Sequence, residues 1–495
     1  MTAHAASAAR KPDKQPHELD DRQRALAFFT VLTAVVLEVA DTTIVNTALP
    51  AIRDGLGASP AAMQWIVAGY LLTLGSLLLL GGRLGDTFGH DRLFLGGVAS
   101  FVAASALCGL APTPGVLVLA RVLQGAAGAM MGPQTMAIVQ LLYAPLERVK
   151  RLAFFGMIIG LAAIVGPIIG GFLIELNLFG LGWRLIFLIN LPVGLFALAM
   201  GRITLPRTGE EHASKSGRGL AIDLTGAALF ALGFGFILFA LIQAHENLGV
   251  PAAAVILVAG LGAVILGVRR SIARRAKGLP AMIEPTLFAL PTFRWGVTAS
   301  MAFNSSSVGF LMIFAVALQQ GLALTPLKTA LIHIPFGFGV MVAVGLLVPR
   351  LLPRLGRLLP MAGGVLMAAG IISTLALIHA RIDGGPILIA TLALAGIGFG
   401  TLSGPLGPIV VSEVPRTHAG TASATMRTAQ QLGGALGIAL VGSAYFAVGG
   451  NDAAARLAGL IPGALMIAAL LTIAILAVSR LPTTLFATER KPTAD

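Results

Sequence analysis

The chain has 495 residues, of which 56% are hydrophobic and only 11% charged, and its mean hydropathy is +0.89. These values exclude an ordinary soluble globular protein and are typical of a membrane protein with many spans. The formal net charge of +13 lies mainly in short segments between apolar runs, which argues against nucleic-acid binding as its explanation.

Apolar runs of roughly 18 to 25 residues recur along the chain, and each is long enough to cross a hydrocarbon core of about 30 Å as a helix. We therefore predict an all-α membrane protein with fourteen spans. The polar leader before the first span runs into a segment too long for the core of a signal peptide, so we predict none. The predicted spans are 25–49, 61–82, 93–111, 115–142, 152–174, 184–202, 223–245, 251–268, 293–320, 326–348, 361–380, 386–410, 421–446 and 456–480.

Lys and Arg are unevenly divided between the two sides of this arrangement. If the first helix starts in the cytoplasm, 28 of the 34 basic residues lie in inner loops and adjoining helix ends. This bias predicts that both termini are cytoplasmic, and it fits the inner membrane of a bacterium. Basic clusters such as 269–277 are then topology signals and contacts for anionic lipids. Five basic residues fall on the outer side: Arg53, Arg184, Lys328, Arg381 and Arg456.

Only three charged residues lie deep within predicted helices. Glu38 and Asp41 of the first helix are three positions apart, which places both on one face, about 4.5 Å apart along the axis. Two carboxylates that close disfavour double ionisation, so one of them is suited to bind and release a proton. Arg121, at a similar depth in the fourth helix, is a candidate to pair with a carboxylate in one state and release it in another. A static buried ion pair or an arginine that snorkels to the interface is the alternative, and Glu38 alone is also compatible with a simple hydrogen bond to nearby Ser or Thr hydroxyls.

The segment from Gly82 to Arg92 is predicted to form a tight polar loop between the second and third helices. Its glycines, Gly82 and Gly89 among them, permit the turn, and Asp86 is suited to accept hydrogen bonds from a neighbouring helix N-terminus. A weaker version at 349–357 follows the tenth helix, so we predict two homologous bundles separated by two extra helices. The predicted division is a cytoplasmic tail 1–24, a six-helix bundle 25–202, a linker 203–222, the extra helices 223–268, a linker 269–292, a second six-helix bundle 293–480 and a tail 481–495.

Helix five contains the sequence Gly-Pro-Ile-Ile-Gly-Gly at 166–171. Pro167 removes a backbone donor and crowds the preceding turn, so a bend is expected there. Gly166, Gly170 and Gly171 carry no side chain, so a neighbouring helix can approach closely. A membrane helix tolerates this combination when its neighbours satisfy the freed carbonyl.

Polar side chains within the predicted helices are candidates to line a substrate cavity, although helix packing is an equal explanation for several of them. His333 is as easily read as a hydrogen-bonded core histidine. The candidates are Asn46, Gln64, Gln124, Gln134, Asn304, Ser307, Gln319, His333 and Gln430.

Cofactor chemistry finds little support in the sequence. Cys108 is the only cysteine, so neither an intramolecular disulfide nor a cysteine metal site is expected. No Lys follows a Gly, which excludes the usual phosphate-binding loop, and no His-Glu-x-x-His pattern occurs. We therefore expect no cofactor, no metal and no enzymatic activity, and an ion gradient as the energy source. A membrane-embedded transferase would need a nucleophile or an acid–base set at the interface, and none is evident.

Six segments in chain order are similar to motifs of the major facilitator superfamily, specifically its fourteen-helix drug:proton antiporter branch. The resemblance extends from about residue 27 to 480 and implies two six-helix bundles plus two extra helices. In the loop, Thr87, His90 and Asp91 stand where the family usually has basic residues, and Arg92 is the main cation. In helix thirteen Gln430 replaces the usual arginine, and Arg427 lies three residues earlier on the same face. The six segments are 41–50, 82–92, 121–128, 166–171, 183–192 and 420–437.

The resemblance implies proton-coupled export by alternating access between the two bundles. Asp41 is the preferred proton carrier because it belongs to the matched first-helix signature, whereas Glu38 is an addition that holds the proton, attracts a cationic substrate, or both. The acidic pair predicts cationic or zwitterionic amphipathic substrates. Partners are therefore protons, a small molecule and membrane lipids, without nucleic acid, and the protein is expected to be a monomer. Export of lipids or lipid-linked molecules on the same fold is the alternative.

Overall fold

The computed structural model describes residues 20–206, 223–244, 248–279, 281–415, 418–448, 450 and 452–482. Residues 1–19 of the predicted tail 1–24, residues 207–222 of the predicted linker 203–222 and residues 483–495 of the predicted tail 481–495 lie outside the described residues. Every predicted span corresponds to a helix. The helices are α1 Asp21–Leu56, α2 Pro60–Phe88, α3 His90–Gly109, α4 Pro114–Leu142, α5 Pro145–Leu176, α6 Gly182–Thr204, α7 Leu224–Gln243, α8 Val250–Ala276, α9 Pro291–Gly321, α10 Pro326–Leu355, α11 Leu358–His379, α12 Pro386–Val411, α13 Ala419–Phe446 and α14 Ala453–Ser479.

The predicted all-α architecture is confirmed for the described part of the chain. Thirteen of these helices are long and apolar enough to cross a membrane. The other, α13, is as long as its neighbours but rich in Gly, Ser and Thr, and it carries Arg427 within its length. A polar helix of this kind is stable in a membrane only when other helices surround it, and it packs against α2, α9, α12 and α14.

Local sequence signals mark where two of the helices start. Pro60 and Pro114 occupy first-turn positions of α2 and α4, where their missing N–H would have had no helical partner. Ser59 and Thr113 precede them, and their hydroxyls accept hydrogen bonds from the backbone N–H of Ala62 and Val116. The start of α1 and the end of α14 lie on one side of the molecule, which we term the terminal face. The starts of α2 and α4 lie on the other side, which we term the opposite face.

The segment predicted as a polar loop is shorter than expected. α2 continues to Phe88, α3 begins at His90, and Gly89 alone connects them with a φ of 96°. Only glycine adopts that conformation without strain, which explains its position. Asp86 and Arg92 are exposed, whereas Gly82 lies under Pro133 of α4.

The two bundles contact each other on the opposite face. Arg53 at the end of α1 donates to the side-chain oxygen of Gln320 over 2.6 Å. Glu175 at the end of α5 accepts from the backbone N–H of Leu327 over 3.0 Å. Towards the terminal face, a Cβ added at Gly160 of α5 would meet nothing within 4 Å. The two bundles are thus joined on the opposite face, and α5 has no close neighbour at Gly160.

The extra helices α7 and α8 form a hairpin beside both bundles. α7 packs against α2 and α13, and its carbonyl at Leu241 accepts a hydrogen bond from Ser443. Asp223 caps the start of α7 through the N–H of Gly226. Its buried carboxylate also accepts from Arg270 of α8 over 2.8 Å, which ties the hairpin together at the terminal face.

Candidate functional site

Asp41 lies at a buried junction of five helices in the first bundle. One carboxylate oxygen pairs with Arg121 of α4. The other accepts from the side-chain amides of Gln124, over 2.9 Å, and Asn190 of α6, over 3.0 Å. Gln124 also donates to the hydroxyl of Ser105 on α3 over 2.8 Å. All hydrogen-bond partners of Asp41 named here are donors, and a carboxylate without a proton accepts from donors only.

Arg121 is equally well bound. Its Nε donates to the backbone carbonyl of Ile66 over 3.1 Å, and Nη1 also donates to Gln124 over 2.6 Å. The guanidinium carbon lies 4.2 Å from the ring centroid of Tyr70 and 5.8 Å from that of Phe187. The desolvated charge is thus compensated by hydrogen bonds, a carboxylate and two aromatic faces. This junction holds α1, α2, α3, α4 and α6 together.

Glu38 has a different environment, although it lies one helical turn away on α1. Its side chain is 4% exposed, and Oε1 lies 3.5 Å from Nη2 of Arg427 on α13. Oε2 is buried and has no hydrogen-bond partner among the described residues. α4 comes close at Gly132, where an added Cβ would lie 3.3 Å from Oε2. The carboxylate is therefore loosely held and retains an oxygen able to bind a proton or a cation.

The contact between Glu38 and Arg427 joins α1 of the first bundle to α13 of the second, within the length of both helices. The side chain of Arg427 is 40% exposed, so solvent or a solute reaches the guanidinium. An exposed partner at 3.5 Å contributes little to stability. This pair is consequently easy to break, whereas the pair between Asp41 and Arg121 is not.

Two predicted cavity residues, Asn46 and His333, face each other across the bundle interface. They line a small space of about 40 Å³ that also touches Thr47 and Pro167. Oδ1 of Asn46 and Nε2 of His333 are buried without a partner among the described residues. Gln319 of α9 closes the interface nearby by donating to the carbonyl of Thr47 over 2.8 Å.

The other predicted cavity residues make local contacts. Asn304 and Ser307 bond to carbonyls within their own helix, at Ser300 and Phe303. Gln134 lies at the terminal end of α4, where it bonds to the carbonyl of Gly81 and to His90. Gln430 is half-buried on α13.

Gln64 is buried, and its Oε1 has no hydrogen-bond partner among the described residues. An added Cβ at Gly442 of α13 would approach this oxygen to 2.9 Å, so Gln64 lies at the contact between the two bundles.

The glycines around Pro167 create two close helix contacts. Added Cβ atoms at Gly166 and Gly170 would lie 2.5 Å and 2.7 Å from side-chain atoms of Thr43 and Ile44 on α1. At Gly171 the Cβ would lie 2.7 Å from the Cα of Leu327, on α10 of the second bundle. The motif thus joins α5 to α1 on one side and to the other bundle on the other.

Two residues of these clusters, Asn190 and Ser105, were not singled out from the sequence as site residues. Asn190 is the one amide side chain in the apolar sixth predicted helix, and this pattern could have identified it as a candidate. Ser105 gave no signal, since small hydroxyl residues are common in membrane helices. The contact of Arg427 with Glu38 was not predicted either, because sequence does not reveal which helices of different bundles face each other.

Comparison with known proteins agrees with the fold and the motifs. A sequence model of the Major Facilitator Superfamily matches residues 31–438. A probable actinorhodin transporter of Streptomyces coelicolor is 35% identical over 88% of this chain and 74% of its own length. A puromycin resistance protein of Streptomyces alboniger is 34% identical over 92% of this chain and 91% of its own.

Among solved structures, a bacterial homologue of the human lysosomal transporter Spinster, in an inward-facing unoccupied conformation, superposes with a TM-score of 0.66. The match covers 96% of this chain and all of the other, at 16% sequence identity. At that identity the match shows a similar fold and nothing further.

Proposed function

Since the chain belongs to the Major Facilitator Superfamily of membrane transporters, we propose that it exports amphipathic, cationic or zwitterionic small molecules in exchange for protons. The similarity to an antibiotic transporter and an antibiotic resistance protein supports export of organic molecules. The bias of Lys and Arg towards the terminal face supports a cytoplasmic location for that face in a bacterial inner membrane.

The observation that carries this proposal is the environment of Glu38. A buried carboxylate with one unpartnered oxygen and one weak contact is a site where a proton and a cation compete. The charged groups acting on it are Arg427 and Asp41, with Arg121 beyond Asp41. Tyr70 is the remaining titratable neighbour.

Arg427 acts as an internal substitute for the cation in this scheme. In the conformation described here it lies beside Glu38 and links α1 to α13. A cationic substrate entering from the terminal face displaces Arg427 and takes its place beside the carboxylate. After the bundles rock, a proton from the opposite side neutralises Glu38 and releases the cation.

Asp41 and Arg121 take a positioning role in this cycle. Their pair is buried, Asp41 also accepts from Gln124 and Asn190, and Arg121 also donates to Gln124, so these contacts hold both groups in this conformation. They fix α1 against α4, which holds Glu38 at its distance from Arg427. We therefore propose Glu38 rather than Asp41 as the exchanging group.

Transport by purified protein in liposomes tests this proposal. With a pH gradient imposed, uptake of a lipophilic cationic dye and the internal pH are followed together in wild type, Glu38→Gln and Asp41→Asn. We expect gradient-driven dye uptake with a matching proton flux in wild type and neither in Glu38→Gln. Redistribution of a fluorescent lipid without any dye movement would replace this proposal with lipid export.

A further inference from the structure

A second cavity lies outside the bundle interface, between the first bundle and the extra hairpin. Its volume is about 480 Å³, within the range of about 300 to 1,000 Å³ that is usual for small-molecule sites. α2 contributes Trp65, Leu72 and Ser76, and α7 contributes Gly235 and Phe239. These residues lie on the side of α2 that faces α7, away from Glu38.

The lining is apolar and aromatic with one polar feature. Phe239 packs near Trp65, with ring centroids 6.4 Å apart, and Phe236 adds a third aromatic ring. The hydroxyl of Thr73 is occupied, since it donates to the carbonyl of Val122 over 3.0 Å. The hydroxyl of Ser76 is different: the residue is 2% exposed, and its oxygen has no hydrogen-bond partner among the described residues.

A hydroxyl in a membrane helix usually donates to a carbonyl of its own preceding turn, and a buried hydroxyl without a partner is destabilising. A lipid acyl chain in the cavity would leave Ser76 without an acceptor. A molecule with a carbonyl or ether oxygen at its inner end would supply one. Aromatic walls with one donor therefore select a flat apolar ligand that carries an acceptor.

A second space of about 290 Å³ lies nearer the opposite face, shares Trp65 with the cavity and is bordered by Ser59, Gly115 and Gln243. On the lipid side, Phe236 is 43% exposed, which allows entry from the bilayer.

We propose that this cavity is a binding site for neutral, lipophilic aromatic molecules with a hydrogen-bond acceptor that the hydroxyl of Ser76 binds. The site is formed by the extra helices and is separate from the Glu38 site. It does not depend on proton-coupled export, because its lining shares no residue with the contacts of Glu38.

Benzophenone is a suitable probe, since it is neutral, aromatic and bears one carbonyl acceptor, and its photolysis attaches it to nearby C–H bonds. The full-length protein in liposomes is irradiated with benzophenone, and the labelled peptides are identified by mass spectrometry. We expect labelling concentrated in 65–77 and 232–239. Gly235→Leu should abolish it, because the nearest atom to an added Cβ there is 3.7 Å away, on Leu72, and the new side chain fills the cavity.

Gly262→Leu is the matched control, since it makes the same change on α8, where an added Cβ meets nothing within 4 Å. This variant should label as wild type does. Ser76→Ala keeps the cavity but removes the donor, and half-maximal labelling should then need about 3- to 10-fold more benzophenone.

Two results would overturn the proposal. One is benzophenone labelling spread evenly over lipid-facing residues and unchanged in Gly235→Leu. The other is obtained with a phospholipid that carries a photoactivatable group on its acyl chain. If that lipid labels the same segments, is blocked by Gly235→Leu, and is not displaced by benzophenone, the occupant is an acyl chain.

Discussion

At the residue scale, two carboxylates three positions apart on one helix differ in almost every physical respect. Asp41 accepts from three side chains and is buried with its counter-ion. Glu38 has one weak contact with an exposed arginine. Helical periodicity predicted that both share a face, but only the packing of α4 and α13 decides which of them is satisfied. The spacing of Glu38 and Asp41 could therefore identify the pair but could not assign their roles.

This difference predicts unequal effects on stability. Asp41→Asn leaves the buried guanidinium of Arg121 without its counter-ion, and such a loss costs about 3–5 kcal/mol. Glu38→Gln removes only the contact with Arg427 and should leave the thermal midpoint near that of wild type. Cys108, the single cysteine, is buried, so the reaction of a fluorogenic maleimide with it reports unfolding on heating.

The double variant Asp41→Asn with Arg121→Gln provides the control. Removing both charges avoids the unpaired guanidinium and should recover part of the lost midpoint. Equal midpoints for Asp41→Asn and Glu38→Gln would show that the Asp41 junction does not stabilise the bundle.

At the scale of the helix, α5 shows how one glycine sets a contact between bundles. A Cβ added at Gly171 would meet the backbone of α10 at Leu327, whereas one added at Gly160 of the same helix would meet nothing within 4 Å. The sequence predicted close approach at the glycines around Pro167, but it could not name the partner helix. The segment 82–92 was predicted as a polar loop, but its polar residues are helical and Gly89 alone makes the turn.

We predict that Gly171→Ala disfavours the conformation described here. A methyl group would lie 2.7 Å from the Cα of Leu327, so α5 and α10 must separate on the opposite face. Spin labels at positions 176 and 331, in a chain lacking Cys108, should report a larger fraction of long distances by pulsed electron paramagnetic resonance. Gly160→Ala adds the same methyl group into open space and should give the wild-type distribution. An unchanged distribution in Gly171→Ala would mean that this contact does not control the opposite face.

At the scale of the whole molecule, most of the fold was predictable because the membrane constrains it. A span needs an apolar run of a certain length, so composition gave the number and order of the helices. The least apolar helix, α13, was still predicted from its run of Gly, Ala, Leu and Val at 421–446. Contacts between bundles were not predictable, since they depend on which side chains meet in one conformation, as Arg427 and Glu38 do.

The distribution of Lys and Arg predicts the orientation of the whole molecule. With 28 of 34 basic residues in the predicted inner loops and adjoining helix ends, both termini should be cytoplasmic. Alkaline phosphatase, which is active only outside the cytoplasm, should be inactive when fused after residue 482 and active when fused after Arg381. The reverse pattern would place the terminal face outside and would reverse the proposed direction of transport.

The central claim is that a proton and a cation compete for Glu38. Its most direct test is proton release when tetraphenylphosphonium, a lipophilic cation, is added to the purified protein in weakly buffered detergent solution. We expect wild type to release up to one proton for each cation bound, over the range of pH in which Glu38 carries a proton, and Glu38→Gln to release none. Undiminished proton release from Glu38→Gln would contradict the claim and return the role of carrier to Asp41.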